Sequence, residues 1–380
     1  MNIRVSASLA AILALALSSA AQADVSISNK PTQNMSCDAG VCTATAQKAV
    51  LNVTDLTNML ATSDVAVKTG TLVKDIDIDQ PLTWANTSRL TLDAQRSVVL
   101  KRPVTVTGTG AFTLTTNTGG SGGEFVIEPR ASVQFWDLAS SLIIDGNSYT
   151  LVGDIRTLRR DIAANASGFY ALAKSHDATA DGTYRSSPIS NEFGGTFSGL
   201  GNSIANLAIR TNDALTTGFF SAIAEAGKVR NFGLQRAKIS ATAGRAFNVA
   251  VGILAGENRG LASSCFATGT IKITSVIEQE AVGGLVGRSL GQIVDSEADV
   301  GISAGGSNYN YIGGLVGVLD GSTSGNAAVI NSFASGRIET SEIGSVGGLV
   351  GENLQATITR SRATGAAIGG QEAWVGDWLG

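Results

Sequence analysis

A short glycine-rich phrase returns about every 30 residues and constrains this chain more than any other feature. A second phrase follows each of its first four copies, and two phrases per period indicate a structural repeat rather than chance similarity. The copies of the first phrase are VGILAG (251–256), VGGLVG (282–287), IGGLVG (312–317), VGGLVG (346–351) and a degenerate VGDWLG (375–380). The copies of the second phrase are SCFATGTI (264–271), DSEADVGI (295–302), NSFASGRI (331–338) and SRATGAAI (361–368).

A unit of about 30 residues without a long helix cannot bury its own apolar face, so it must stack on its neighbours. We expect three short strands and three turns to fill the unit and form one coil of a β-solenoid. Identical positions in successive coils then lie about 4.8 Å apart, with backbone hydrogen bonds running along the stack. The repeat therefore predicts an all-β chain of stacked parallel coils with little helix.

An extended VGGLVG would place Val282, Gly284 and Val286 on one face and Leu285 on the other. Stacking would then align the leucines of successive copies into an apolar ladder. Glycine permits either a positive φ at a corner or a close approach of two backbones, and the sequence leaves both open. The residues expected to form the structural repeat are Gly252, Leu254, Gly256, Gly283, Gly284, Leu285, Gly287, Gly313, Gly314, Leu315, Gly317, Gly347, Gly348, Leu349 and Gly351.

Alternating runs between residues 50 and 150 predict further strands joined by tight turns. These runs include DVAVKTG, DIDIDQPLTW, RLTLDAQRSVVL, RPVTVTGTGAFTLTTN, EFVIEP and SLIIDG. Helix is expected only in VTDLTNMLA, capped by Thr54 or Asp55, and in TLRRDIAANA. The 46 glycines and 15% charged residues argue against long amphipathic helices. A net charge of −4 argues against nucleic acid or anionic lipid as a partner.

Residues 1–23 have the layout of a secretory signal peptide, with Arg4, an apolar run and a small-x-small cleavage site. No later segment approaches 18 uninterrupted apolar residues, so no transmembrane helix is expected. Export to an oxidising compartment makes a disulfide between Cys37 and Cys42 plausible. Cys265 has no evident partner, and we expect it to be a small buried residue.

The glycine phrases resemble the GLUG motif, which occurs in bacterial surface adhesins and in some immunoglobulin-A peptidases. A segment that resembles the usual introduction to such repeats precedes them, with Phe193, Phe197, Gly201, Ile204, Asn206 and Leu207 at the typical positions. Residues 50–150 resemble the β-helical parts of filamentous-haemagglutinin-type secreted adhesins. Both resemblances imply a right-handed parallel β-helix with an extracellular interaction role.

The resemblances divide the chain into four parts. After the signal peptide come an N-terminal β-helical region (24–149), a segment introducing the repeats (150–210) and the GLUG-type repeats (211–380), in which TGFF (217–220) is a divergent first copy. The last phrase stops inside a repeat, which suggests a truncated C-terminus.

The sequence offers few residues for catalysis. His176 is the single histidine, so the HExxH zinc site of the peptidase branch is excluded. Its neighbours Ser175 and Asp177 do not by themselves make a catalytic triad. Asp75, Asp77 and Asp79 share one strand face, where they either hold Ca²⁺ or simply face water. A polysaccharide-active enzyme would use carboxylates such as Asp145, Asp154 and Asp161, which equally suit turns.

We therefore expect a secreted or outer-surface, non-enzymatic adhesin without cofactors. Its partner would be a host or neighbouring-cell surface protein or glycan. Tyr309 and Tyr311, in the variable turn 303–312, either stack on such a ligand or cover the turn; a second variable turn spans 319–329. Asn206, Asn231, Asn331 and Asp295 are expected to form a hydrogen-bonded ladder. The alternatives are a polysaccharide-active β-helix enzyme and a passive stalk for a missing domain.

Overall fold

The computed structural model describes residues 24–120, 122–212, 215–243, 249–275, 280–305, 310–323, 325–340, 344–369 and 373–376. The expected signal peptide (1–23) lies outside the described residues, as do Tyr309 and the end of the last phrase (377–380). In the described parts the chain is all-β, with two α-helices, α1 (Val53–Leu60) and α2 (Ile155–Ala164), and a short 3-10 helix at Ala178–Asp181. The prediction of an all-β chain with two short helices is therefore confirmed.

The strands up to residue 152 are named in chain order. They are β1 (Asp24–Ser28), β2 (Met35–Asp38), β3 (Val41–Ala44), β4 (Ala49–Asn52), β5 (Val65–Lys68), β6 (Asp75–Ile78), β7 (Leu82–Trp84), β8 (Arg89–Asp93), β9 (Val98–Leu100), β10 (Val104–Val106), β11 (Ala111–Thr115), β12 (Phe125–Ile127), β13 (Val133–Phe135), β14 (Ser141–Ile144) and β15 (Asn147–Val152). Every alternating run predicted between residues 50 and 150 contributes at least one of them.

The next strands lead into the repeats and form the first of them. They are β16 (Phe169–Leu172), β17 (His176–Asp177), β18 (Thr183–Tyr184), β19 (Thr196–Ser198), β20 (Ser203–Ala205), β21 (Ala208–Thr211), β22 (Thr216–Thr217), β23 (Phe220–Ile223), β24 (Lys228–Arg230), β25 (Gly233–Ala243), β26 (Val249–Gly252), β27 (Ala255–Asn258), β28 (Leu261–Ser263) and β29 (Phe266–Ser275).

The later repeats supply the remaining described strands. They are β30 (Glu280–Gly283), β31 (Val286–Ser289), β32 (Gln292–Val294), β33 (Glu297–Gly305), β34 (Asn310–Gly313), β35 (Val316–Asp320), β36 (Ala328–Ile330), β37 (Phe333–Ala334), β38 (Ile338–Thr340), β39 (Gly344–Gly347), β40 (Val350–Leu354), β41 (Thr357–Thr359), β42 (Arg362–Ala363), β43 (Ala367–Ile368) and β44 (Ala373–Gly376).

The described residues between 24 and 151 form an N-terminal stack with three strands per repeat. One sheet has the order β12-β9-β6-β1-β4 and a second has the order β13-β10-β7. A third, the shared sheet, begins β2-β3-β5-β8-β11-β14 and continues into the rest of the chain. Apart from the hairpins β2–β3 and β14–β15, its strands pair in parallel, and their alternating apolar residues fill one core.

The first end of the N-terminal stack is covered by local structure. Hairpin β2–β3 turns at Ala39 and Gly40, which both have positive φ, and the Cys37–Cys42 disulfide joins its strands. Helix α1 lies beside it and buries Leu56 and Leu60. Its N-cap is Asn52, whose side chain accepts from two backbone N–H groups, so the expected caps Thr54 and Asp55 were wrong.

The hydrophobic core moves from one face of the shared sheet to the other at β15. Leu142 of β14 pairs directly with Tyr149 of β15, so their side chains share a face, and both pack in the N-terminal core. Leu151 belongs to the same core, whereas its neighbour Val152 packs in a second one. From β16 onward the core lies on the face of Val152, as Tyr170 shows. Strand direction also reverses at β15, since β14 and β15 are antiparallel.

The described residues from 152 onward form a C-terminal stack, in which one complete repeat contains four strands. In the repeat of residues 261–289 these are β28, β29, β30 and β31, and each pairs in parallel with its counterpart in the next repeat. The expected number of three strands was wrong for these repeats. The physical reason is that the glycine phrase does not form one strand but bends between two.

The bend places all apolar side chains of the phrase on the inside. Val282 ends β30, Val286 begins β31, and Leu285 lies between them, yet all three are fully buried in the same core. The expectation that Val282 and Leu285 lie on opposite faces was therefore wrong. The leucines do stack, because the N–H of Leu285 donates to the carbonyl of Leu315 over 3.0 Å, and Leu254 and Leu315 make the same bond to the next copy.

The glycines of the phrase permit close backbone approach. A Cβ at Gly283 would lie 1.9 Å from the carbonyl oxygen of Val286 in the same bend, and one at Gly284 would lie 2.2 Å from the carbonyl of Gly314 in the next repeat. A Cβ at Gly287 would lie 2.4 Å from the backbone nitrogen of Val251 in the preceding repeat. None of these three glycines has a positive φ. The sequence left two roles open for these glycines, a positive φ or a close approach of two backbones. The structure shows that they serve the close approach.

Candidate binding groove at the junction of the two stacks

The residues considered for a catalytic triad do not come together. His176 pairs with Asp181, its Nε2 lying 3.0 Å from the carboxylate Oδ2, and not with Asp177. Asp177 instead accepts from Asn206 and from Thr179. Hydrogen bonds from these two residues lower the pKa of Asp177 to about 2. The residues considered for a triad therefore serve local turns.

The three carboxylates considered for a polysaccharide-active enzyme also have local partners. Asp145 occupies the β14–β15 turn with positive φ and accepts from the N–H of Thr116 over 2.8 Å. Asp154 is the N-cap of α2, and Asp161 pairs with Arg160. Hydrogen bonding of this kind suits turn and cap residues.

The aspartates of DIDID are neutralised by cations on the neighbouring strand. Lys101 Nζ lies 2.6 Å from Asp77 Oδ2 and 3.1 Å from Asp79 Oδ1. Asp75 is buried and pairs with Arg96. Asp24 lies nearby, and its pKa is raised to about 6. Burial is the largest cause, followed by the charges of Asp77 and Asp75. In the described part of the chain, no group of three or more His, Cys, Asp or Glu side chains is arranged to hold a metal ion.

The polar ladder of the repeats is built mainly of serines. The side chain of Asn331 does donate to Asp295, but Asn206 lies elsewhere and bonds Asp177 and Arg236. The expected asparagine ladder was therefore largely wrong. Instead, one buried corner position is occupied in successive repeats by Cys265, Ser296, Ser332 and Ser361, and the N–H of each of the first three donates to the next serine hydroxyl.

Tyr311 covers a small apolar cluster. Its partly buried side chain packs against Ala250, Ala281 and Val318 on the outside of the bends. The interpretation in which it covers the turn therefore fits its surroundings. Parts of both variable turns, residues 306–309 and 324, lie outside the described residues.

The change of core face leaves a step between the two stacks, which we call the step groove. Its floor is the outer face of the shared sheet, where register places Ser198, Arg230, Ser263 and Val294 in one row. These residues share the face of Leu151, but the N-terminal core no longer covers it beyond β16. The groove therefore follows directly from the pairing at β15.

The wall of the step groove is the end of the N-terminal stack. It carries Asn117, Glu124, Phe125 and Tyr149. The side chain of Asn117 holds this wall in shape by bonding both the N–H and the carbonyl of Gly123. Two cavities of about 490 and 530 Å³ make up the groove. They share three residues at one corner of the C-terminal stack, which are Asn231, Ser264 and Asp295.

Acidic side chains outnumber basic ones along the step groove. Glu124, Glu128, Asp145, Asp295 and Glu297 line it against Arg130 and Arg230, which makes five acidic groups and two basic ones. Burial raises the pKa of Tyr149, an effect that the charge of Asp145 strengthens and that of Arg230 opposes. The phenol therefore remains a hydrogen-bond donor at neutral pH. Such a surface suits a polar ligand without excess negative charge.

The sequence patterns do not predict this groove. The Asp145-Gly146 pair between two apolar runs is a strong hairpin signal that was available in IIDGNSYTLV. The hairpin alone, however, does not indicate that the core moves to the other face of the shared sheet. That requires knowing which residues of β15 face each core.

Comparisons with known proteins support part of the family prediction. Residues 343–369 match the GLUG motif. A protein named halomucin, from Haloquadratum walsbyi (strain DSM 16790 / HBSQ001), is 31% identical over 182 residues, which cover 47% of this chain but 2% of halomucin. No solved structure gave a significant match. The haemagglutinin resemblance of the N-terminal part is not confirmed.

The described helices include none that is long and apolar enough to cross a membrane. Together with the parallel pairing of successive repeats, the motif and the halomucin similarity support the interpretation of this chain as a GLUG repeat protein.

Proposed function

We propose that the protein is a secreted or cell-surface, non-enzymatic binding protein that acts like an adhesin. Its partner would be a surface protein or glycan of a host or neighbouring cell. The observation that carries the proposal is the step groove, where exposed polar side chains lie on rigid paired strands in a concave surface. Concave sites on stacked repeats are a common form of binding surface.

Both stacks would be right-handed parallel β-helices. Strand direction and core face reverse together at β15, so a single hand for both stacks is expected. Crossover connections between parallel strands are right-handed in almost all proteins. In this arrangement the groove would lie midway along one elongated molecule.

Saturable binding to intact cells tests the function. Fluorescently labelled protein is titrated onto candidate target cells, and onto the same cells treated with protease or periodate to distinguish protein from glycan partners. The double variant Arg230→Ala/Leu261→Ala removes two groove side chains, and we expect roughly tenfold weaker binding if they contribute as interface anchors. Lys272→Ala, on the exposed side of β29, is the matched control and should bind normally.

Absence of saturable binding to every target would contradict the proposal and favour a passive stalk. A parallel assay of reducing-end release from polysaccharides addresses the enzyme alternative. Turnover that disappears on replacing one groove carboxylate, such as Glu124→Gln, would contradict the non-enzymatic assignment.

A further inference from the structure

The three sheets that reach the junction end in different ways. The shared sheet simply continues from β14 into β15. The edge of β13 is covered by the C-terminal stack, because the N–H of Val133 donates to Leu200 O over 2.9 Å and the N–H of Phe135 donates to Ala173 O over 2.7 Å. Asn202 Nδ2 completes this edge by donating to Val133 O over 2.8 Å.

The edge of β12 receives no such cover within the described parts of the chain. On its inner side, the N–H of Val98 donates to Glu124 O and the N–H of Glu128 donates to Leu100 O. Alternate residues of a strand direct their backbone groups to opposite sides. The N–H and carbonyl groups of Phe125 and Ile127 therefore point away from β9, toward the step groove.

Apolar contacts hold this edge, and the strand itself contains no blocking residue. Phe125 and Ile127 are half-buried against the N-terminal core, which fixes the strand. Exposed edges are commonly blunted by lysine, proline or a bulge within the strand, or by a very short strand. The strand FVI is only three residues long, but it contains no lysine or proline, and its register with β9 is regular. It is therefore a preformed template for one more strand.

We propose that the step groove binds an extended peptide segment of a partner protein, which adds as a strand to the edge of β12. The inference rests on the proposed function and names its partner class. Strand addition gives affinity through backbone hydrogen bonds, here to Phe125 and Ile127, and specificity through alternate side chains. With five carboxylates and two guanidinium groups along the groove, the segment should carry net positive charge.

Peptide selection with matched variants tests the proposal. A phage-displayed library of random peptides of about 12 residues is selected on the purified protein, and the recovered peptides are synthesised for affinity measurements. Ile127→Pro removes the side chain and the N–H that faces the groove, without removing a bond to β9. Ile127→Ala removes the side chain alone. We expect basic peptides that lose about tenfold in affinity for Ile127→Pro but less than threefold for Ile127→Ala.

Hydrogen exchange on the unmodified protein supplies a second measurement, which decides the matter if Ile127→Pro fails to fold. Bound peptide should slow exchange of the Phe125 and Ile127 amides at least tenfold. Failure to recover peptides, equal affinity for both variants, or protection confined to other segments would overturn the proposal. So would protection of these two amides by a neutral oligosaccharide panel but by no peptide.

The cell-binding assay distinguishes a failure of this inference from a failure of the proposed function. If labelled protein binds cells and folded Ile127→Pro binds them equally well, strand addition is wrong while the binding function stands. If the unmodified protein binds no cell, the proposed function fails whatever the peptides do.

Discussion

Ser296 and Ser332 occupy the same buried corner in successive repeats, and the backbone N–H of Ser296 donates to the hydroxyl oxygen of Ser332 over 3.1 Å. Each hydroxyl in turn donates to the carbonyl two residues before it, as Ser332 does to Ile330. The serine column thus satisfies buried backbone groups at a bend where the strands separate, which is necessary because an unpaired buried N–H is costly.

Replacing Ser332 with alanine should therefore destabilise the protein. The change leaves the N–H of Ser296 buried without its acceptor, and we expect a loss of about 1–3 kcal/mol in the free energy of unfolding. Ser263→Ala is the matched control, because Ser263 lies on the groove side of the shared sheet, and its effect should stay below about 0.5 kcal/mol. Equal losses in urea unfolding of the two variants would show that the column does not stabilise the stack.

Gly283→Ala should be among the most damaging small substitutions in the repeats. Its Cβ would lie 1.9 Å from the carbonyl of Val286, so the bend must open, at an expected cost of about 3 kcal/mol or more. Gly301→Ala provides the control, because its nearest neighbour would be a methyl carbon of Thr270 at 3.7 Å. Thermal unfolding followed by circular dichroism measures both, and a neutral Gly283→Ala would contradict the packing explanation.

Cys265 should be inert in the folded protein. It occupies the serine column fully buried, and burial raises the pKa of its thiol to about 12. The reactive thiolate is therefore almost absent at pH 8. We expect no reaction with Ellman's reagent in the native state and one thiol per chain after denaturation, because Cys37 and Cys42 are bonded. Rapid native labelling would show that this corner is open.

Cys265→Ser should be better tolerated than Cys265→Val. A serine hydroxyl can keep the donation that the Cys265 thiol makes to the carbonyls of Val229 and Ser263, whereas valine removes it. We expect a difference of about 1–2 kcal/mol between the variants. Urea unfolding of both proteins measures it. A more stable valine variant would indicate that this position is only a hydrophobic contact.

The Asp75–Arg96 pair should make stability depend on pH in the acid range. Burial raises the pKa of Asp75, but hydrogen bonds from Arg96 and from the N–H of Ser97 outweigh it and hold that pKa below its usual value. A carboxylate whose pKa is lower in the folded state stabilises the protein at pH values above its unfolded-state pKa. This stabilisation is lost as the pH falls through the folded-state pKa. We therefore expect the free energy of unfolding to decrease as the pH drops below about 4.

Arg96→Met tests the origin of this dependence. The variant should be about 1–3 kcal/mol less stable at pH 7 and should lose less on acidification. Lys68→Met is the control, because Lys68 lies 3.8 Å from Asp93 in an exposed pair, worth about 0.5 kcal/mol. An unchanged acid dependence in Arg96→Met, measured by urea unfolding at several pH values, would contradict this assignment.

The periodicity of the sequence was sufficient for predicting which residues stack. Leu254 and Leu285 are one repeat apart in the sequence, and their backbones are hydrogen-bonded neighbours in the structure. The two helical segments and the Cys37–Cys42 pair could also be predicted, because short helix-forming runs and short cysteine spacings are local signals. Local spacing was therefore sufficient for the period of the repeat, the two helical segments and the disulfide.

The bends and the groove depend on contacts that spacing does not contain. VGGLVG has the alternation of one strand, but close approach at Gly283 turns it into a corner between two sheets. The serine column becomes visible only when the fourth copy of the second phrase starts at Arg360 rather than at Ser361, as the pairing of Phe333 with Arg362 requires. The step groove arises from the pairing of β14 with β15, a tertiary relationship.

Protease shaving of intact producing cells tests the central claim, that the repeats are displayed outside the cell. Proteinase K is applied briefly to intact cells, and released peptides are identified by mass spectrometry beside a cytoplasmic marker. The proposed function predicts peptides from residues 211–380 while the marker stays intact. Recovery of these peptides only after lysis, together with their absence from the culture medium, would contradict it.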